Sequence, residues 1–164
     1  MTKIAEIERR VLATVDATGI PYQLLDCNPD FADTAEFCEH YGYPLGNAGN
    51  TILVAGKKLP RKYCACVLAA TDRLNVNNTV RNLMDGQRVS FARPADTLSV
   101  TGMLIGGVTA FGLPHGIPIF VDGEIMNLDY IILGSGSRSS KIKTSPEIFR
   151  HLKGATIVPG LSIA

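Results

Sequence analysis

Two apolar runs, Thr51-Ile52-Leu53-Val54-Ala55 and Tyr63-Cys64-Ala65-Cys66-Val67-Leu68-Ala69-Ala70, stand on either side of a basic turn from Gly56 to Lys62. Runs that are apolar at nearly every position read as strands covered on both faces, and so short a connection joins them as an antiparallel hairpin. Such a hairpin forces the rest of the chain to supply layers on both of its sides. At 164 residues, 46% hydrophobic and 19% charged, the chain has the material for one domain over residues 1–164 with a substantial core.

The flanking sequence offers those layers. Ile4, Ile7, Val11, Leu12 and Val15 fall at helical spacing behind Thr2, a good N-cap, and Gly19 is a natural stop, so residues 3–18 predict an amphipathic helix. A short strand is expected over residues 21–26. Asp33 followed by Glu36 resembles a capping box for a second helix that ends at Gly42. Val76, Val80, Leu83 and Met84 share one face of a helix over residues 75–84, with Gly86 behind it; a strand follows at 88–92 and a helical turn at 94–98, opened by Pro94. Short strands are expected at 103–105, 117–122 and 130–133. Ser145-Pro146-Glu147 starts a short helix that stops near Gly154, and 156–158 reads as a strand. Helices and strands do not alternate strictly, so the pattern predicts a mixed α/β (α+β) domain with a curved sheet rather than a doubly wound nucleotide-binding fold.

Charge and motifs remove several functions. Sixteen basic and 15 acidic residues leave a net charge of +1, so contact with nucleic acid has to come from a local patch. Lys57, Lys58, Arg61 and Lys62 in the hairpin turn are one such patch, or simply solvated lysines and arginines. Charged residues interrupt the N-terminal run, which predicts no signal peptide or membrane anchor and a cytoplasmic chain. Cys27, Cys38, Cys64 and Cys66 have no C-x-x-C spacing, and His40, His115 and His151 are scattered, so no metal site is expected. Cys64 and Cys66 share a strand face and read as small buried hydrophobes. No G-x-x-x-x-G-K-[ST], G-x-S-x-G or H-E-x-x-H occurs, which disfavours a P-loop NTPase and a triad hydrolase. His115 is a loop acid/base candidate or an exposed histidine, and Asp122 is expected to cap the turn after its strand.

Eight of the 16 glycines lie between Gly102 and Gly136, which places the candidate site in that stretch. Gly106-Gly107-Val108-Thr109-Ala110-Phe111-Gly112 can offer main-chain amides to a carbonyl or carboxylate, or form a bulged sheet corner. Gly134-Ser135-Gly136-Ser137-Arg138-Ser139-Ser140-Lys141 combines four hydroxyls with two cations, which suits a phosphate or the end of a nucleic acid.

The order of these motifs, Asn50-Thr51-Ile52-Leu53-Val54, the block through Met84, Thr101-Gly102-Met103-Leu104-Ile105-Gly106-Gly107-Val108, Pro118-Ile119-Phe120-Val121-Asp122 and the loop from Gly134 to Lys141, resembles the YbaK/EbsC family of aminoacyl-tRNA deacylases. That family includes the editing domain of prolyl-tRNA synthetase and its free-standing relatives, and the resemblance covers roughly residues 20–155. It implies a mostly antiparallel, barrel-like sheet flanked by helices and hydrolysis of the ester of a mischarged tRNA in trans. No cofactor or metal is implied. The implied partners are the aminoacylated 3′ end of a tRNA and an aminoacyl-tRNA synthetase, with no role for DNA or a membrane. The resemblance carries Asn50 onto a family lysine that holds the substrate, and Thr51, Gly106, Gly107, Val108, Thr109, Ala110, Gly134, Gly136, Ser137 and Arg138 onto the pocket; Ala110 stands where the family loop has proline. An asparagine keeps hydrogen bonding but loses the charge, which implies altered or reduced activity, or a catalytically silent tRNA- or aminoacyl-binding module. Lys141 is a candidate to replace the missing cation, against the simpler reading of an exposed lysine at a strand start. Tyr22 is a candidate to stack on the terminal adenine, or a core tyrosine.

Overall fold

A computed structural model describes residues 2–163. Helix α1, Lys3–Ala17, begins at Thr2, whose hydroxyl accepts the Ala5 N–H, and buries Val11 and Val15. Strand β1, Tyr22–Asp26, leads to α2, Thr34–Tyr41, which ends at Gly42 in the left-handed conformation. The hairpin follows as β2, Gly49–Gly56, and β3, Tyr63–Ala69, paired antiparallel with Asn50 opposite Leu68. Next come β4, Arg73–Leu74, a turn of π-helix over Val76–Val80 that runs into α3, Arg81–Leu83, then β5, Val89–Phe91, and α4, Pro94–Thr101. The chain closes with β6, Ile119–Asp122, β7, Ile131–Gly134, β8, Ser140–Thr144, a 3-10 turn over Pro146–Arg150, β9, Ala155–Val158, and β10, Ser162–Ile163.

The fold is mixed α+β. Five strands order as β5-β2-β3-β6-β9, and three as β1-β8-β7. The pairings of β3 with β6 and of β6 with β9 are parallel, whereas β2 with β3 and β5, and β8 with β1 and β7, are antiparallel. A parallel bridge between Ala48 and Ile132 joins the two sheets, and pairing among the described strands does not close into a ring.

Strand β3 explains the layers. Ala65 and Val67 face a cluster with Val11 and Val15 of α1, Phe111 and Phe149, while Cys64, Cys66 and Leu68 face Val80, Met84 and Leu161 on the other side. Each face of the strand is therefore covered, as an unbroken apolar run requires. A third cluster, Phe37 and Cys38 of α2 with Cys27, Ala32, Ala48 and Ile132, seals α2 against the seam between the sheets.

Several local expectations change. Residues 103–105 form no strand but lead as irregular chain into a turn at 105–107, with Leu104 and Ile105 half exposed and Gly106 at φ 91°. The helical turn at 94–98 runs on to Thr101, and the late helix is only the 3-10 turn ending at Arg150. Asp33 is the N-cap residue of α2 but makes no side-chain cap bond, and Asp122 accepts from the Ser162 hydroxyl instead of capping its own turn. His115 is exposed.

Candidate functional site

A cavity of about 400 Å³ opens where the start of β2, the first turn of α2 and the two glycine loops meet. Asn50 and Thr51 reach it because β2 begins just past the seam with β7. Thr34 lies at the start of α2, and its hydroxyl donates to Asn50 Oδ1 at 2.6 Å, which fixes the amide. Phe37, Ile52, Ile105, Val108, Ile132 and Leu133 make the remaining lining largely apolar.

Lys141 enters this lining from β8 and is 4% exposed. Its ammonium donates to the Ala32 carbonyl at 2.6 Å and the Gly106 carbonyl at 2.7 Å, and it stands 5.7 Å from the centre of the Phe37 ring. An ammonium has three donors, so one is left over from these two carbonyls. Burial pushes the lysine below its ordinary pKa, and Cys27, Asp33 and Cys38 nearby oppose that shift while Arg138 adds to it. Burial raises the Cys27 and Cys38 thiols, and the charge of Lys141 pulls them back.

The glycine loops meet backbone to backbone. The Gly136 N–H donates to the Gly107 carbonyl at 2.7 Å, and a Cβ on Gly107 would stand 2.6 Å from the Ser137 carbonyl oxygen. A Cβ on Gly134 would strike the Val108 carbonyl oxygen. Arg138 locks this contact from the rim: its guanidinium donates to the Pro29 and Ile105 carbonyls and pairs with Asp33 Oδ1 at 3.0 Å. Side chains are excluded at Gly107 and Gly134 by close approach rather than by φ, and at Gly106 by both.

Asn50, Thr51, Gly106, Val108, Gly134 and Lys141 therefore line one cavity. Gly107, Gly136, Ser137 and Arg138 support it from behind or from the rim. Three candidates lie elsewhere. The Tyr22 hydroxyl donates to Asp16 at 3.0 Å, which ties β1 to α1 away from the cavity. Thr109 is fully buried, with its hydroxyl unpartnered among the described residues, and Ala110 faces a separate cleft beside Leu113 and Ile117. Lys141 is not the exposed lysine of the simpler reading, because β8 turns it inward beneath α2. Thr34 and Phe37 were missed by sequence reasoning, since Asp33-Thr34 reads only as a helix start and nothing in the sequence links Thr34 to Asn50, 16 positions further on.

The sequence model of the aminoacyl-tRNA editing domain matches residues 28–152, which takes in every residue lining the cavity. Over 81 residues the chain is 30% identical to the uncharacterized protein YwhH of Bacillus subtilis (strain 168), a match covering 49% of this chain and 51% of that protein, so it spans about half of that relative's length. Among solved structures, a proposed trans-editing enzyme for prolyl tRNA synthetase superposes with a TM-score of 0.80 at 19% identity, covering 96% of this chain and 98% of the other. The hypothetical protein APE2540 superposes with a TM-score of 0.83 at 25% identity, covering 94% and 99%.

Proposed function

The chain belongs to the aminoacyl-tRNA editing domain family, and on that premise we propose that it hydrolyses, in trans, the ester joining a wrong amino acid to the 3′ end of a tRNA. The observation that carries this reading is the convergence of a buried cation, Lys141, and an anchored amide, Asn50, on one open cavity of amino-acid size. Water attacks the ester carbonyl, the carbonyl oxygen takes the negative charge, and the ribose oxygen leaves with a proton to give free amino acid and uncharged tRNA. The remaining donor of Lys141 stabilises the developing oxyanion, and Asn50 orients the ester. The apolar lining receives the amino acid side chain and keeps bulk water from screening the ammonium.

The test is hydrolysis of a panel of mischarged tRNAs, including alanyl- and cysteinyl-tRNA for proline, by the wild type, Asn50→Ala and Asn50→Lys. The wild type is expected to exceed the buffer rate on at least one substrate. Asn50→Ala is expected to lose about tenfold, the value of one hydrogen bond of about 1.4 kcal/mol made to the reacting group. Activity in Asn50→Lys alone would mean that the natural chain is a silent aminoacyl- or tRNA-binding module.

A further inference from the structure

The hairpin turn is not an isolated basic loop. Segments 56–62 and 81–96 come together along β5, the outer strand of the five-stranded sheet, and between them hold Lys57, Lys58, Arg61, Lys62, Arg81, Arg88 and Arg93 against only Asp85 and Asp96. This edge thus carries an excess of five positive charges in a chain whose total is +1, so the rest of the molecule is net negative. The Lys57 N–H donates to the Arg88 carbonyl at 2.8 Å, which brings the turn and the segment before β5 together. Lys57 lines two adjoining clefts, one with Arg81 and Arg88, the other with Arg61, Arg93 and Phe91. Of these cations Arg93 alone has a carboxylate partner among the described residues, Asp96 at 3.0 Å. Phe91 projects from the same edge 53% exposed, an aromatic ring left in water beside unpaired cations.

We propose that this edge is the surface on which the backbone of the tRNA acceptor stem docks, which rests on the tRNA-editing reading above. Phosphates are the ligand that several unpaired lysines and arginines along a strand recognise without base contacts, and an exposed ring beside them offers a stacking face for a base. The geometry also fits the cavity. Strand β2 carries Asn50 at one end and Gly56, next to Lys57, at the other, which is six residues or about 20 Å at about 3.4 Å per residue. The four unpaired nucleotides at a tRNA 3′ end reach about 14 Å when stacked at about 3.4 Å each, so they cover this distance in an extended, unstacked form. A stem held on the basic edge therefore delivers its ester to the cavity along β2.

The experiment titrates uncharged tRNA against the wild type, the double variant Lys57→Glu/Arg88→Glu, Phe91→Ala, and Lys153→Glu as a control before the opposite edge strand, β9. Thermal melting checks that each variant folds. The double variant is expected to bind at least tenfold more weakly, with a shallower dependence of affinity on salt, and to raise KM for aminoacyl-tRNA rather than lower kcat. Phe91→Ala is expected to lose about threefold to tenfold. Affinity within twofold of the wild type in the double variant, or an equal loss in Lys153→Glu, overturns the proposal. If the double variant loses affinity while the wild type hydrolyses no tested ester, the docking surface stands and the deacylase reading falls; hydrolysis with unchanged binding gives the reverse.

Discussion

Lys141→Met is expected to slow ester hydrolysis by about 100- to 1,000-fold, the loss associated with removing one preorganised donor to an oxyanion. Methionine has nearly the reach of lysine and no charge, so the substitution removes chemistry without opening a large void. It also leaves the Ala32 and Gly106 carbonyls without the donors they have at 2.6 and 2.7 Å. Unmet carbonyls in a dry place cost about 1–3 kcal/mol each, but the variant is relieved of burying an ammonium, so a net destabilisation of about 1–3 kcal/mol is expected. A pH series separates the two effects. Burial holds the folded-state pKa of Lys141 below its ordinary 10.5, so between the two values the unfolded chain binds the extra proton and wild-type stability rises with pH. The difference in unfolding free energy between wild type and Lys141→Met should therefore shift in favour of the wild type as pH climbs toward 10.5. A difference that stays flat across the alkaline range would mean that the ammonium is not held in a dry site.

The second large effect is steric. In Gly134→Ala the new methyl would overlap the Val108 carbonyl oxygen and stand 2.9 Å from that of Gly107, both of them backbone atoms that have no rotamer in which to retreat. The glycine loops would have to separate, and with them the Gly136–Gly107 hydrogen bond. A loss of about 2–4 kcal/mol is expected, or roughly 5–15 °C in Tm for a chain of this size, with hydrolysis reduced more than stability explains. Gly46→Ala is the matched control, because a Cβ there meets nothing within 4 Å. Its Tm is expected to move by no more than about 2 °C. Equal behaviour of the two variants in a thermal melt would show that the loops are free to part.

What the sequence made legible was what local chemistry decides. The Thr2 cap and the spacing of Val11 and Val15 define α1, and uninterrupted apolar runs define β2 and β3, because periodicity and turn residues act within a few positions. The irregular segment 103–105 reads as a strand because Met103-Leu104-Ile105 is apolar, yet only Met103 is buried. Strand β8 was harder to see, since Ser140-Lys141-Ile142-Lys143-Thr144 has one apolar residue and suggests only an exposed strand start at Lys141; its lysines are accommodated by the Ala32 and Gly106 carbonyls and by the Tyr43 and Tyr130 rings, partners far away in sequence. The cavity suffered from the same blindness. Asn50 and the glycine loops were recognisable as motifs, but the inward direction of Lys141, the packing of Tyr22 against the core beside α1 and the bond from Thr34 to Asn50 are settled by strand pairing and by where α2 lands.

The cavity is bounded on one side by interlocked main chain, Gly106 to Val108 against Gly134 to Ser137, and on the other by ordinary side chains such as Phe37, Ile52 and Ile132. These two sides will not change at the same pace. Substitutions among the side chains can enlarge or narrow the space while the main chain that carries Gly106 beneath Lys141 stays where it is. On the proposed deacylase reading, selectivity for the amino acid is thus free to drift, whether under natural selection or in a laboratory library randomised at Ile52 and Ile132, while the main-chain frame of the cavity is kept.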